Sequence, residues 1–408
     1  MDRRDFVGML AGTAAATGLC GVSAFAAEKQ KRPNIVFLLV DDLGWGDFSC
    51  YGSSFHETPH IDQLAREGMK FTSAYAGAPV CSPSRAAIMT GQTPARLHLT
   101  EWIHKGVNPH KKLLPAEYLL HLPKGVPTIA SELKKLGYTT GAIGKWHLGP
   151  KGYWPEDFGF DYNVAGDEHG HPAPPHGYFG PFYYHNLTGY TENDNLTEVL
   201  TNKVDEFLSA AAPKGPFFLY LAEYAVHEPL AERKPRVDKY LKKNGGKDEP
   251  DPTYAAVVES VDRCVARLRK KLTELGVADN TIIMLTSDNG GVSFDESKFK
   301  NNVLHRVADN GPFRAGKGYV YEGGIRTADR VLAWRYKGGN SERCAGVWAG
   351  LYADDCFSGR HSGHAFANRW HGPDAGVSWW IARSRISLLA LSALCAAGWD
   401  TCGGNPAG

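Results

Sequence analysis

The chain has 408 residues, 43% of them hydrophobic and 22% charged, which suits a soluble globular protein with one large domain and a smaller companion. A formal net charge of +1 gives no global electrostatic case for nucleic acid or for an acidic membrane surface. Eight cysteines with no Cys-x-x-Cys pair argue against both a zinc site and a disulfide scaffold.

The N-terminus reads as a targeting segment. Arg3-Arg4-Asp5-Phe6-Val7 is a twin-arginine pattern, followed by a weakly apolar run to about Ala27 with a small-x-small cleavage site at Ala24-Phe25-Ala26. Residues 1–27 are therefore expected to be an export signal, the alternative being an N-terminal anchor helix. Leu19 is too bulky for Cys20 to be a lipidation site.

Ile35–Val40 is a continuous apolar run that suits a strand buried on both faces of a parallel sheet, and it ends in Asp41-Asp42. Thr58–Ala65 reads as a helix with a capping Thr58 and Pro59 in its first turn. Helices are also expected over Thr128–Leu136, Asn202–Ala211 and Tyr254–Leu275. Between them, Thr139–Gly144, Phe217–Leu221 and Thr281–Ser287 read as further buried strands. Strands alternating with helices predict an α/β fold with a mostly parallel central sheet sandwiched by helices. Polar residues recur just past the strand ends, where such sheets place their ligands.

The segment from Glu168 to Asn195, rich in His, Gly, Pro and Tyr, has little periodicity. It reads as a long surface excursion over the site. Beyond Arg326 the composition shifts. Thr327–Gly408 holds seven Arg and one Lys, six of the ten Trp and four of the eight Cys. Ile386–Ala397 is apolar but too short for a membrane span. Residues 327–408 are read as an aberrant tail from a shifted reading frame, or else as a divergent C-terminal subdomain.

Asp41 and Asp42 cannot both be charged side by side without a counter-ion. Asp288-Asn289 lies at another strand end. Three carboxylates and one amide are hard oxygen donors, the chemistry of Ca²⁺ or Mg²⁺. Singly, each acid would be a cap or turn residue. Cys81 alone would be a buried structural cysteine, and Arg85 alone a surface charge. The spacing Cys81-Ser82-Pro83-Ser84-Arg85, followed by Ala86–Gly91, makes chance a poor account. Pro83 then marks a kink ahead of a helix whose N-terminal amides can face an anion. His169, His171 and His176 could suggest a second metal, but the interleaved prolines and glycines fit a substrate loop better. Asn186 and Asn195 head glycosylation sequons that carry no weight in an exported bacterial chain.

With these residues in place, the chain resembles a type I sulfatase of the alkaline-phosphatase-like superfamily, in its arylsulfatase and carbohydrate sulfatase branch. The resemblance is carried by Pro33–Gly44, Glu57–Asp62, Cys81–Gly91, Gly144–Gly149, Ala225–Pro229, Ser287–Gly291, Arg314–Lys317 and Tyr321–Arg326. It covers residues 33–326 and stops where the family continues into a small C-terminal sheet subdomain, which is expected to be truncated or aberrant here.

The resemblance implies that Cys81 is oxidised by a maturase to formylglycine, an aldehyde whose hydrate attacks the sulfur of a sulfate ester. It implies one cation, Ca²⁺ with Mg²⁺ as the alternative, held by Asp41, Asp42, Asp288 and Asn289 with the group at Cys81 beside them. Arg85 would stabilise the hydrate. Lys145 and Lys317 would hold sulfate oxygens. His147 would orient or deprotonate a hydroxyl, and His227 would protonate the leaving alcohol. The implied substrate is a sulfated carbohydrate or aryl sulfate, and the implied location is periplasmic or secreted, with no nucleic acid and no membrane span after signal removal. Two alternatives stay open: a phosphate or phosphonate ester hydrolase of the same superfamily, and an inactive homologue crippled by its tail.

Overall fold

The computed structural model describes residues 32–104, 112–114, 116–172, 177–243, 251–293 and 307–327, and the strand 331–333. The expected export segment, His176 and nearly all of the tail lie outside the described residues.

A seven-stranded sheet organises the chain. In chain order its strands are β1 (Asn34–Val40), β2 (Met69–Lys70), β3 (Thr139–Gly144), β4 (Tyr162–Val164), β5 (Phe217–Ala222), β6 (Thr281–Ser287) and β7 (Val331–Ala333). Their order across the sheet is β2-β7-β6-β1-β5-β3-β4. The five strands from β6 to β4 run parallel, and β7 and β2 add an antiparallel edge. The four strands expected from apolar runs are all present. Two-residue β2 and three-residue β4 are too short to leave such a signal.

The main helices are α1 (Pro59–Glu67), α2 (Cys81–Thr90), α3 (Pro94–Leu97), α4 (Ile129–Lys135), α5 (Leu196–Ala211), α6 (Lys234–Lys243), α7 (Pro252–Glu274) and α8 (Glu322–Ile325). They cover both faces of the sheet, and β1 shows how. Val36, Leu38 and Val40 pack on one face with Val199, Leu200 and Val204 of α5 and Val261, Val265 and Leu268 of α7. Ile35, Phe37 and Leu39 pack on the other with Ala86 and Met89 of α2 and Ile129 and Leu133 of α4. Each such side chain contributes about 1.5–3 kcal/mol when fully buried, so neither face can be stripped without unfolding the sheet.

Four expectations change. Thr58 holds the N-cap position of α1, but its hydroxyl bonds Ser49 and Asp62 rather than a helix amide. Asp262 of α7 instead accepts the His60 and Ile61 amides at 2.9 and 2.8 Å. α5 begins at Leu196, capped by Asn195, rather than at Asn202. The helix carrying Arg85 begins at Cys81 itself, so Pro83 lies inside its first turn. The segment from Glu168 to Asn195 is also less superficial than expected. Tyr178, Phe182, Tyr184 and Leu187 are buried in the main core. Among the described residues, no helix is long and apolar enough to cross a membrane.

Candidate active site

The site lies at the C-terminal ends of β1, β3, β5 and β6, together with the start of α2. β1 delivers Asp41 and Asp42, and β6 delivers Asp288 and Asn289; all four are buried. Asp42 sits at φ +60° and His147 at φ +56°, left-handed conformations that non-glycine residues hold only where the surroundings impose them. β3 delivers Lys145 through Gly144, whose φ is +98° and where a Cβ would lie 1.9 Å from the Ala222 carbonyl oxygen. The backbone there must pass against β5, and only glycine allows it.

The ten residues expected to do chemistry come together. Cys81 Sγ is 3.8 Å from Asp41 Oδ1. Arg85 donates from Nε to Asp288 Oδ2 at 2.9 Å and from Nη1 to the Lys145 carbonyl at 3.0 Å, and its Nη2 lies 3.4 Å from Asp41 Oδ1. Lys145 Nζ donates to Asp41 Oδ2 at 2.5 Å. Lys317 Nζ donates to Asp42 Oδ2 at 2.6 Å and lies 3.1 Å from His227 Nε2. Asn289 Nδ2 donates to Asp42 Oδ1 at 2.8 Å.

Burial opposes ionisation of Cys81, but Lys145 and Lys317 outweigh it and hold the thiol well below its ordinary pKa. Burial opposes the charge on Asp42 as well; Lys317, His227 and Lys145 still hold its carboxyl well below the usual range. Burial, with Asp41 alongside, pushes Asp288 up to about 6. Burial works against the imidazolium of His227, yet Asp42 raises its pKa above the ordinary histidine value. Burial lowers His147, leaving it neutral.

The donor set fits a hard cation. Among the described residues, two groups of side chains lie close enough to share a metal: Asp41, Cys81 and Asp288, and Asp42, Cys81 and His227. Asn289 Oδ1 is buried without a hydrogen-bond partner beside these carboxylates, an oxygen that a cation would satisfy. His169 and His171 belong to neither group. His169 Nδ1 is held by Asp167 Oδ1 at 2.8 Å, and the His171 ring lies 6.3 Å from that of His227.

Three supporting features went unread in the sequence. His147 Nε2 faces the Ile103 carbonyl at 2.8 Å, so that contact makes Nε2 the donor and leaves Nδ1 as acceptor. A backbone carbonyl has no sequence signature. Tyr178 donates to the His227 carbonyl at 2.9 Å, fixing the general-acid candidate from a loop with no periodicity. At Gly170, a Cβ would fall 2.4 Å from His147 Cε1, so the loop can lie flat on that ring only through glycine.

The Sulfatase family model matches residues 33–334. The chain is 32% identical over 331 residues to the N-acetylgalactosamine-6-sulfatase of Homo sapiens, covering 76% of this chain and 58% of that protein. It is 30% identical over 365 residues to the N-acetylgalactosamine-6-O-sulfatase of Bacteroides thetaiotaomicron, covering 73% and 67%. The crystal structure of Ps i-CgsB in complex with k-i-k-neocarrahexaose aligns with a TM-score of 0.61 at 32% identity, covering 74% of this chain and 66% of that one. The chain thus spans less than two thirds of the human relative. The fold is the alkaline-phosphatase-like α/β fold. The matched interval takes in both acidic strand ends, Cys81 and Lys317, and the chain belongs to the sulfatase family.

Proposed function

We propose that this protein hydrolyses sulfate esters of carbohydrates, using formylglycine made from Cys81 and one divalent cation, Ca²⁺ or Mg²⁺. The observation that carries the reading is the convergence of Cys81, three cationic side chains and two histidines on one cluster of hard oxygen donors. The two N-acetylgalactosamine-6-sulfatases and the carrahexaose complex support a sugar as the sulfated partner.

Asp41, Asp42, Asp288 and Asn289 would hold the cation, which when bound supplies positive charge against the sulfate oxygens and the nucleophile. Formylglycine, when formed, supplies a hydrated aldehyde: one hydroxyl to attack sulfur, another to release the product. Lys145 and Lys317 hold the remaining sulfate oxygens and offset charge that grows in the transition state. Arg85 anchors Asp288 and Asp41 and faces the hydroxyls at position 81. Neutral His147 accepts a proton there at Nδ1. His227, with its raised pKa, donates from Nε2 to the leaving alcohol.

Maturation requires an enzyme that oxidises Cys81, and the twin-arginine segment implies export to the periplasm or medium. The composition change after Arg326 is best explained by a shifted reading frame, which resequencing the nucleotides would settle. The central test is kinetic. Protein shown by mass spectrometry to carry the aldehyde is expected to turn over 4-nitrophenyl sulfate and a sulfated sugar, and to prefer sulfate over the matched phosphate ester. Preference for the phosphate, or no turnover by fully modified protein, overturns the reading. Replacing Arg3 and Arg4 by lysine is expected to leave precursor in the cytoplasm; undiminished export rejects the twin-arginine route.

A further inference from the structure

The sulfate pocket accounts for one end of a substrate, and the surface around its mouth bears on the rest. Among the described residues, exposed large hydrophobic side chains concentrate in two segments. One holds Trp102, Leu113, Leu114 and Leu120, and the other Tyr319, Val320 and Tyr321; Tyr183 and Leu241 lie elsewhere. Both segments are bonded to the flanks of Cys81. The Ile103 amide donates to Ser82 Oγ at 3.0 Å, one residue after Cys81. The Gly318 amide donates to the Pro79 carbonyl at 2.8 Å, two residues before it. Trp102 therefore adjoins the residue that anchors His147, and Tyr319 follows Lys317 by two.

The Trp102 and Tyr321 rings are held by neighbours, and the Tyr319 backbone is fixed. The Trp102 ring lies 4.4 Å from that of His104, and the Tyr118 hydroxyl bridges His104 Nε2 at 3.2 Å and the Trp102 carbonyl at 3.4 Å. The Tyr319 amide donates to the Gly316 carbonyl at 3.1 Å. The Tyr321 ring is capped by the Arg314 guanidinium at 3.9 Å.

Water-exposed apolar surface gathered in patches marks a binding surface. Here both segments are bonded to residues flanking Cys81, where the sulfate is proposed to react, which points to the remainder of the same substrate. Pyranose rings present flat C–H faces that suit aromatic rings, while His104, Tyr118 and Arg314 can meet hydroxyl or sulfate groups at their edges. We propose that Trp102 with His104, and Tyr319, form sugar subsites beside the sulfate pocket, so that the substrate is a sulfated oligosaccharide rather than an isolated sulfated monosaccharide. This rests on the sulfatase reading above.

The test uses the full chain carrying formylglycine, with calcium, and four probes: 4-nitrophenyl sulfate, N-acetylgalactosamine 6-sulfate, chondroitin 6-sulfate hexasaccharide and sulfated neocarrahexaose. Trp102→Ala and Tyr319→Ala are each expected to lower the ratio of hexasaccharide to aryl-sulfate kcat/KM about tenfold, the equivalent of one lost stacking contact of about 1.4 kcal/mol. Trp102→Phe is expected to restore most of that ratio. Equal kcat/KM on hexasaccharide and matching monosaccharide, or a parallel loss on both substrates, overturns the subsites. So does a fall in thermal stability or a loss of self-association in Trp102→Ala, which would mean that the patch packs on this chain or on a second copy. If aryl sulfate is not hydrolysed at all, the sulfatase reading fails instead, and the subsites are judged by calorimetry. Hexasaccharide binding that Trp102→Ala weakens about tenfold supports them, and no binding rejects them.

Discussion

His227 and Glu223, both just past the end of β5, are titratable groups with opposite tasks. In the proposed chemistry His227 supplies a proton, so its loss should matter most where the leaving alcohol needs one. His227→Ala is expected to reduce kcat on an unactivated sugar sulfate by about 10²–10⁴-fold, and to affect 4-nitrophenyl sulfate far less. Equal losses on both would assign His227 to binding. Glu223, directly after β5, is fully buried. Burial pushes its pKa up to about 8, with only the Cys264 thiol countering. The folded state then holds a proton that the unfolded chain releases near 4.5, so the group's contribution to stability falls as pH rises from about 4.5 through about 8. Glu223→Gln removes that titration. Its melting temperature is expected to fall less than the wild type's between pH 5 and pH 9, and an unchanged slope would clear Glu223 of the effect.

At this scale the sequence was most legible where a side chain itself does the chemistry. Cys81, Arg85, Lys145 and Lys317 stood in a recognisable order before any geometry was known. The Ile103 carbonyl and the Tyr178 hydroxyl did not. A backbone atom leaves no letter, and a loop tyrosine acquires its partner only when the chain closes around it. Glu223 was passed over because a lone acid after a strand looks like a turn residue until its burial is known.

Among the elements, β1, β3, β5 and β6 were readable because a strand covered on both faces must be apolar throughout. α5 was misread at its start because its first turn, Leu196-Thr197-Glu198-Val199, mixes polar and apolar residues, although Thr197 is buried. α4 is the opposite case. Thr128 Oγ1 accepts the Ser131 amide at 3.1 Å, and Ser131 Oγ accepts the Thr128 amide at 2.9 Å. Thr128 Oγ1 also donates to the Phe158 carbonyl at 2.6 Å. Thr128→Ala is expected to lower stability by about 1–2 kcal/mol in urea unfolding without changing the m-value. A loss within experimental error would show that the cap is replaced by water.

For the molecule as a whole, three acidic residues and an unpartnered amide oxygen meet at the centre of the parallel sheet, where strands from opposite ends of the described chain come together. A cation bound there would tie β1 to β6. Chelation with EDTA is expected to lower the melting temperature and excess Ca²⁺ to restore it, by about 2.7 kcal/mol at a hundredfold excess over Kd. Indifference of the melting curve to both would dissociate the oxygen cluster from metal binding. Asp288→Asn should abolish the calcium response while leaving the sheet intact.

Cys81 is 3% exposed, in the first turn of a helix that is buried along nearly all its length. An enzyme that oxidises this thiol must therefore reach it on the nascent or still extended chain, because a side chain this buried cannot enter a second protein's active site, whatever small group reaches it. Modification and folding become competitors in time, and a molecule that folds first stays permanently unconverted. The active fraction is then set by a race during synthesis rather than by an equilibrium. Slowing translation or lowering the growth temperature should raise the aldehyde content of the purified protein, read by mass spectrometry of the peptide spanning residue 81. Maturase added to the folded thiol form should convert none of it, and full conversion there would end the argument for a race.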